Sequence, residues 1–168
     1  MTSTHTITGD ITGNLKTMRL KIIKPVYSKM LIHEEDLPDY LVKSKRISTA
    51  SDVFHMFKSL VNTPRETFIC LHLSNKNVIQ CVDVCSVGSL TASIVHPREI
   101  FIPALLSGAA ALVFVHQHPS GDPEPSREDL DITSRLKQVG ELCGIRVLDH
   151  IIIGQDRSVS LADRGLLT

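Results

Sequence analysis

His116 and His118 stand one residue apart and are followed by Ser126 and Asp129. On an extended backbone alternate side chains point to the same side, so two imidazoles at this spacing face one point. Asp129 falls three residues after Ser126, the spacing of a helix start, where the N-terminal dipole keeps a carboxylate ionised and ready to ligate. Two histidines and one carboxylate form an incomplete tetrahedron. The fourth position is left for water, which distinguishes a catalytic zinc site from a structural one. Zinc lowers the pKa of bound water to about 7 and so supplies a hydroxide nucleophile at neutral pH. The pair alone carries little weight. With 8 histidines in 168 residues a chance His-x-His arises about 0.4 times per chain, and adding Ser and Asp at their offsets lowers this to roughly 0.002.

Several elements must hold these residues. Ala111 to Val115 is apolar without alternation, which predicts a central strand buried on both faces and ending at His116. The segment PSGDPEP is loop by composition. Ser126 and Asp129 then open a helix burying Ile132, Leu136, Val139 and Cys143 and stopping at Gly144. Upstream, Val53, Met56, Phe57, Leu60 and Val61 predict a helix with caps at Ser48, Thr49 or Ser51. Thr67 to Leu73 and Val78 to Cys85 read as a hairpin turning at Ser74–Asn77, with a third run at Leu90 to Val95. His96-Pro97 opens a helix that Pro103 limits or kinks, and Ile145 to Leu148 and His150 to Ile153 supply the last strands. The order predicts an α/β fold, a mixed β-sheet sandwiched by helices. Residues 1–46 read as a flexible tail and irregular lead-in, with a possible strand at Leu20 to Ile23, and residues 47–168 as the domain.

The offsets His116-Gln117-His118, Ser126, Asp129 match the pattern HxHx(7)SxxD, and the chain resembles the JAMM (MPN) metalloproteases in it. HPREIF at His96 to Phe101, HQHPSGDPEPSREDLDIT at His116 to Thr133 and LDHIIIG at Leu148 to Gly154 are similar more narrowly to RadC-type proteins. The resemblance covers Ile47 to Thr168 and implies the JAMM/MPN (cytidine-deaminase-like) fold, with His116, His118 and Asp129 as ligands of one Zn2+. RadC-type proteins read HNHPSG where this chain has HQHPSG; Gln117 lies between the ligands and points away from them. Residues 1–46 lack the Gly-rich helix-hairpin-helix repeat that full-length members carry.

The family further implies an upstream glutamate as general acid and base, with Glu66 and Glu99 as candidates. The resemblance favours Glu66 because the family glutamate comes from an early strand, whereas Glu99 is sufficiently explained as a first-turn residue compensating a helix dipole. In the family the motif serine steadies the tetrahedral oxyanion, and Ser126 takes that position. Asp149-His150 reads first as support for the last strands, or else as a further ligand or a contact to a metal-bound histidine. Ser120 is a turn residue, since no Gly-x-Ser-x-Gly elbow surrounds it.

The expected activity is zinc-dependent hydrolysis of peptide or isopeptide bonds, with a peptide or ubiquitin-like protein as substrate. Two rivals remain at this point: a RadC-type DNA-repair or mobile-element protein, and a noncatalytic partner-binding MPN module. Lys plus Arg and Asp plus Glu each total 18 and aromatics make up 4%, so nucleic-acid contact is expected to be weak or indirect. A zinc deaminase is excluded because its HxE motif paired with a downstream PCxxC does not occur. Hydrophobic residues at 42% suffice for a core, and the longest apolar stretch, Phe101 to Val115, is too short to span a bilayer. The first fifteen residues show no secretory signal. Cys70, Cys81, Cys85 and Cys143 form no CxxC pair and read as buried free thiols, from which a reducing, cytoplasmic setting is expected.

Overall fold

The computed structural model describes residues 27, 28, 32, 37–88 and 95–167. The expected tail and the strand at Leu20 to Ile23 lie outside them. So does the run Leu90 to Val95, except for Val95, which is buried and belongs to no strand.

A short helix α1 (Asp39–Ser44) precedes α2 (Ala50–Phe57), which a 3-10 turn at Lys58–Asn62 continues. Thr49 and Asp52 cap α2 reciprocally: Asp52 N–H donates to Thr49 Oγ1 at 3.3 Å, and Thr49 N–H to Asp52 Oδ2 at 3.0 Å. Strands β1 (Glu66–Leu73) and β2 (Ile79–Gly88) form the hairpin, with Asn77 left-handed in its turn. Helix α3 (Pro97–Leu106) continues three residues beyond Pro103. It is followed by β3 (Ala111–Gln117), α4 (Arg127–Cys143), β4 (Arg146–Ile153) and β5 (Ser158–Ser160).

The strands make one mixed sheet, ordered β2-β1-β3-β4-β5, in which only β3 and β4 run parallel, joined by the α4 crossover. All seven residues of β3 are buried. Strand alternation divides the core between the two faces. Ile69, Leu71, Leu73, Ala111, Val113 and Val115 pack with Val53, Met56 and Phe57 of α2. Phe68, Cys70, Leu112 and Phe114 pack with Ile100, Phe101 and Ala104 of α3 and with Ile132 and Leu136 of α4.

Three differences from the sequence reading have physical causes. Where two final strands were expected, β4 is continuous, but its register against β3 steps at Leu148: Leu112 pairs with Val147 and Val113 with Asp149. That step reverses which face the following side chains take, so His150 faces α4 and not α2. Second, Cys143 is exposed instead of buried: α4 packs tightly at Gly140, where a Cβ would stand 2.6 Å from the carbonyl oxygen of Ile145, just before β4. The last turn beyond it faces solvent, and Leu142 is 89% exposed. Third, only Cys70 of the four free thiols is fully buried; Cys81 and Cys85 are half-buried. Among the described residues no helix is long and apolar enough to cross a membrane.

Candidate metal centre

His116 is the penultimate residue of β3 and His118 follows the strand's end, at the carboxyl edge of the parallel pair where open α/β sheets place their ligands. Asp129 occupies the first turn of α4, which the crossover returns to the same edge. His116 Nε2 lies 3.0 Å from His118 Nε2 and 3.1 Å from Asp129 Oδ1, and His118 Nε2 lies 3.3 Å from Asp129 Oδ2. One ligand atom from each falls within 4.8 Å of the others, which makes a possible metal-binding group.

The other side of each residue is tied down. His118 Nδ1–H donates to the Asp122 carbonyl at 2.8 Å, and His116 Nδ1 lies 2.8 Å from His150 Nε2. Asp129 Oδ2 accepts from the Ser126 amide at 2.7 Å and the Ser126 hydroxyl at 2.6 Å, while Asp129 N–H donates to Ser126 Oγ at 3.1 Å. The Asp122 loop is held in turn against the β4–β5 connection. Gly154 permits this, because a Cβ there would stand 2.5 Å from Pro123 Cδ and 2.6 Å from the Gly121 carbonyl oxygen.

Two imidazole nitrogens and a carboxylate, almost wholly withdrawn from water and aimed at one point, repel one another unless a proton or a cation lies between them. That is the chemistry a divalent ion satisfies, and the N, N, O donor set suits zinc. In the metal-free protein protons fill part of this role. Burial pushes the Asp129 carboxyl up, but hydrogen bonds from His116, His118 and Ser126 outweigh it and hold the group well below the usual carboxylate range. The Asp129 contact raises His118 above its ordinary value despite burial, helped by the Asp122 carbonyl and by the Glu66 charge. His150 is pushed well below its ordinary value by complete burial.

Glu66 begins β1 and Glu99 sits in the first turn of α3. In the antiparallel β1–β3 ladder Phe68 pairs with His116. Counting outward, Glu66 falls opposite His118, and by strand alternation it shares the face of both histidines. Glu66 is also among the charges acting on His118. Glu99 is exposed and pairs with its neighbour Arg98 at 2.9 Å.

Gln117 has a part the sequence did not disclose. Its side chain points away from the histidines, as expected, and is fully buried. Oε1 accepts from Thr67 N–H at 2.9 Å, and Nε2 donates to the Arg65 carbonyl at 2.5 Å and to Thr63 Oγ1 at 2.7 Å. The side-chain amide thus continues the β1–β3 ladder past its last backbone pair and brackets Glu66 on both sides. Its partners lie 50 residues upstream or more, so no local signal marks the role. Gln117→Leu is expected to cost about 1–3 kcal/mol, the price of leaving Thr67 N–H buried and unpaired, and to speed exchange of that amide while His118 and Asp129 keep their places. Chemical denaturation and amide exchange measure both.

Asp149 is the support that its position beside the last strands implied: Oδ1 accepts from His150 N–H at 2.7 Å and Ala162 N–H at 3.0 Å, and Oδ2 from Ser160 Oγ at 2.6 Å. Burial raises its carboxyl above the usual range.

Residues 47–166 match the RadC-like JAB domain family. The chain is 58% identical over 123 residues to a UPF0758 protein of Syntrophotalea carbinolica, an alignment covering 73% of this chain and 54% of that protein. It is 50% identical over 124 residues to a UPF0758 protein of Methanosarcina mazei, covering 73% and 54%. It is 48% identical over 156 residues to a UPF0758 protein of Geobacter sulfurreducens, covering 92% and 66%. Against the first two, the chain spans about half the length of the curated relatives it matches.

Proposed function

Because the chain belongs to the RadC-like JAB domain family, we propose that it is a zinc-dependent hydrolase of peptide or isopeptide bonds. The observation that carries this reading is the convergence of His116, His118 and Asp129, with Glu66 on the same sheet face opposite His118. When bound, zinc acidifies a water and polarises the scissile carbonyl. His116, His118 and Asp129 would hold the ion, His116 and Asp129 from buried positions and His118 from the rim. Glu66 accepts a proton from the attacking water and returns it to the leaving amine, a role worth about 10²–10⁴ in rate. Ser126 has a single hydroxyl proton, which goes to Asp129 Oδ2, so steadying an oxyanion requires Ser126 to release that contact. An extended peptide or ubiquitin-like tail supplies the amide bond, and the free thiols fit a reducing, cytoplasmic setting.

The test is incubation of zinc-loaded protein with ubiquitin-like and peptide conjugates, and separately with single- and double-stranded DNA, using His118→Ala as the blank. Metal-dependent amide cleavage is the expected result. Cleavage of DNA with every amide intact would overturn the reading in favour of a nucleic-acid enzyme.

Zinc affinity is expected to rise with pH. Metal takes only the unprotonated imidazole, and Asp129 raises the proton affinity of His118, so competition begins at a higher pH than at an unperturbed histidine site. Below that point affinity falls about tenfold per pH unit for each proton displaced. Chelator competition from about pH 5.5 to 8 reads the slope. A flat profile across this range would show that His118 gives up no proton to the metal.

A further inference from the structure

His150 is wholly buried beneath His116, with its ring 5.4 Å from Phe68 and 6.0 Å from Phe114, centroid to centroid. Both its nitrogens are engaged. Nε2 stands 2.8 Å from His116 Nδ1, and Nδ1 stands 2.5 Å from Thr133 Oγ1. The Thr133 oxygen lies in turn 2.5 Å from the backbone carbonyl of Asp129.

Counting protons along this line fixes each one. A carbonyl only accepts, so the proton between Thr133 and Asp129 is the single hydroxyl proton of Thr133. Thr133 Oγ1 then has only a lone pair to offer His150, and the proton between them sits on His150 Nδ1. A neutral imidazole carries one proton, so His150 Nε2 is bare, and the proton in the next contact belongs to His116 Nδ1. That leaves His116 Nε2, which faces His118 and Asp129, as the nitrogen able to exchange a proton for a cation. The opposite order would leave His116 Nδ1 bare and fix the ring's one proton on Nε2, where it blocks ligation. The register step at Leu148, which turns His150 to this face, is what closes the line.

We propose that Thr133 and His150 are positioning residues that fix a proton on His116 Nδ1, so that Nε2 is the nitrogen offered to a metal. The line starts at the backbone of Asp129, so one member of the cluster sets the proton on another. With a cation held by His116 and Asp129 it would close a ring through α4, β4 and β3. The inference rests on the metal-binding part of the function proposed above and is independent of hydrolysis.

Long-range proton–nitrogen NMR of the metal-free, histidine-labelled protein reads which ring nitrogen carries each proton. Protons on Nδ1 of both His116 and His150 are expected. Thr133→Val, which keeps shape and loses the hydroxyl, should mix the tautomers and weaken zinc binding about 10-fold in chelator competition. Thr133→Ser should restore both. A His116 Nδ1 without its proton in the unaltered protein would overturn the proposal, as would undiminished zinc affinity in a folded Thr133→Val variant. Should the unaltered protein bind no zinc, the metal reading fails, and the tautomer spectrum still decides the relay.

Discussion

Glu66→Gln is expected to keep one zinc per chain and to lose about 10²–10⁴ in kcat, because a proton shuttle serves turnover and not coordination. Glutamine preserves the size of the side chain and its place at the head of β1, so the ladder from Phe68 to Leu73 and the bracket made by Gln117 survive. Glu99→Gln removes half of an exposed ion pair with Arg98, and such pairs are worth so little that turnover should stay within about twofold. Parallel measurement of zinc content and of cleavage on the most responsive conjugate separates the two glutamates. A larger loss at Glu99 would reverse their assignment.

His118→Ala should abolish zinc binding and, with it, all activity. His118 is the informative ligand to remove because it follows β3 at the rim, half-buried, whereas His116 is buried in the sheet and its removal also opens a gap beside Phe68. Asp129 would keep its hydrogen bonds from Ser126, so circular dichroism and the unfolding midpoint should change little. Elemental analysis of the purified variant decides the matter, and zinc retained at one per chain would remove His118 from the ligand set.

Local chemistry made much of this architecture readable in the sequence. The unalternating run ending at His116 gave away a strand buried on both faces, and the Ser126–Asp129 pair announced both a helix start and a carboxylate at its positive end. The hairpin was legible from its turn. Features set by pairing between distant segments were not. Strand β5 is three residues long and exists only as a partner for Ile151–Ile153, and α1 is six residues inside a stretch broken by charges and proline. The register step at Leu148 has no compositional mark, so it looked like a gap between two strands, and with it went the face on which His150 lies. Gln117 and Thr133 act through partners far along the chain or on another element, where neither periodicity nor motif spacing reaches.

The ladder that sets Glu66 opposite His118 also bears on how the site is assembled. His116, His118 and Asp129 all lie within fourteen consecutive residues, while Glu66 comes 50 residues before the first of them. Closing the short segment costs less chain entropy than bringing in the distant strand. On the proposed function, a chain whose three ligands had met before β1 docked would hold a cation while lacking the carboxylate that turns a bound ion into a cutting edge. A slip of one residue in β1 would leave it in that state, with Glu66 turned to the far side of the sheet. On the proposed function, cutting waits until the strands are correctly zipped.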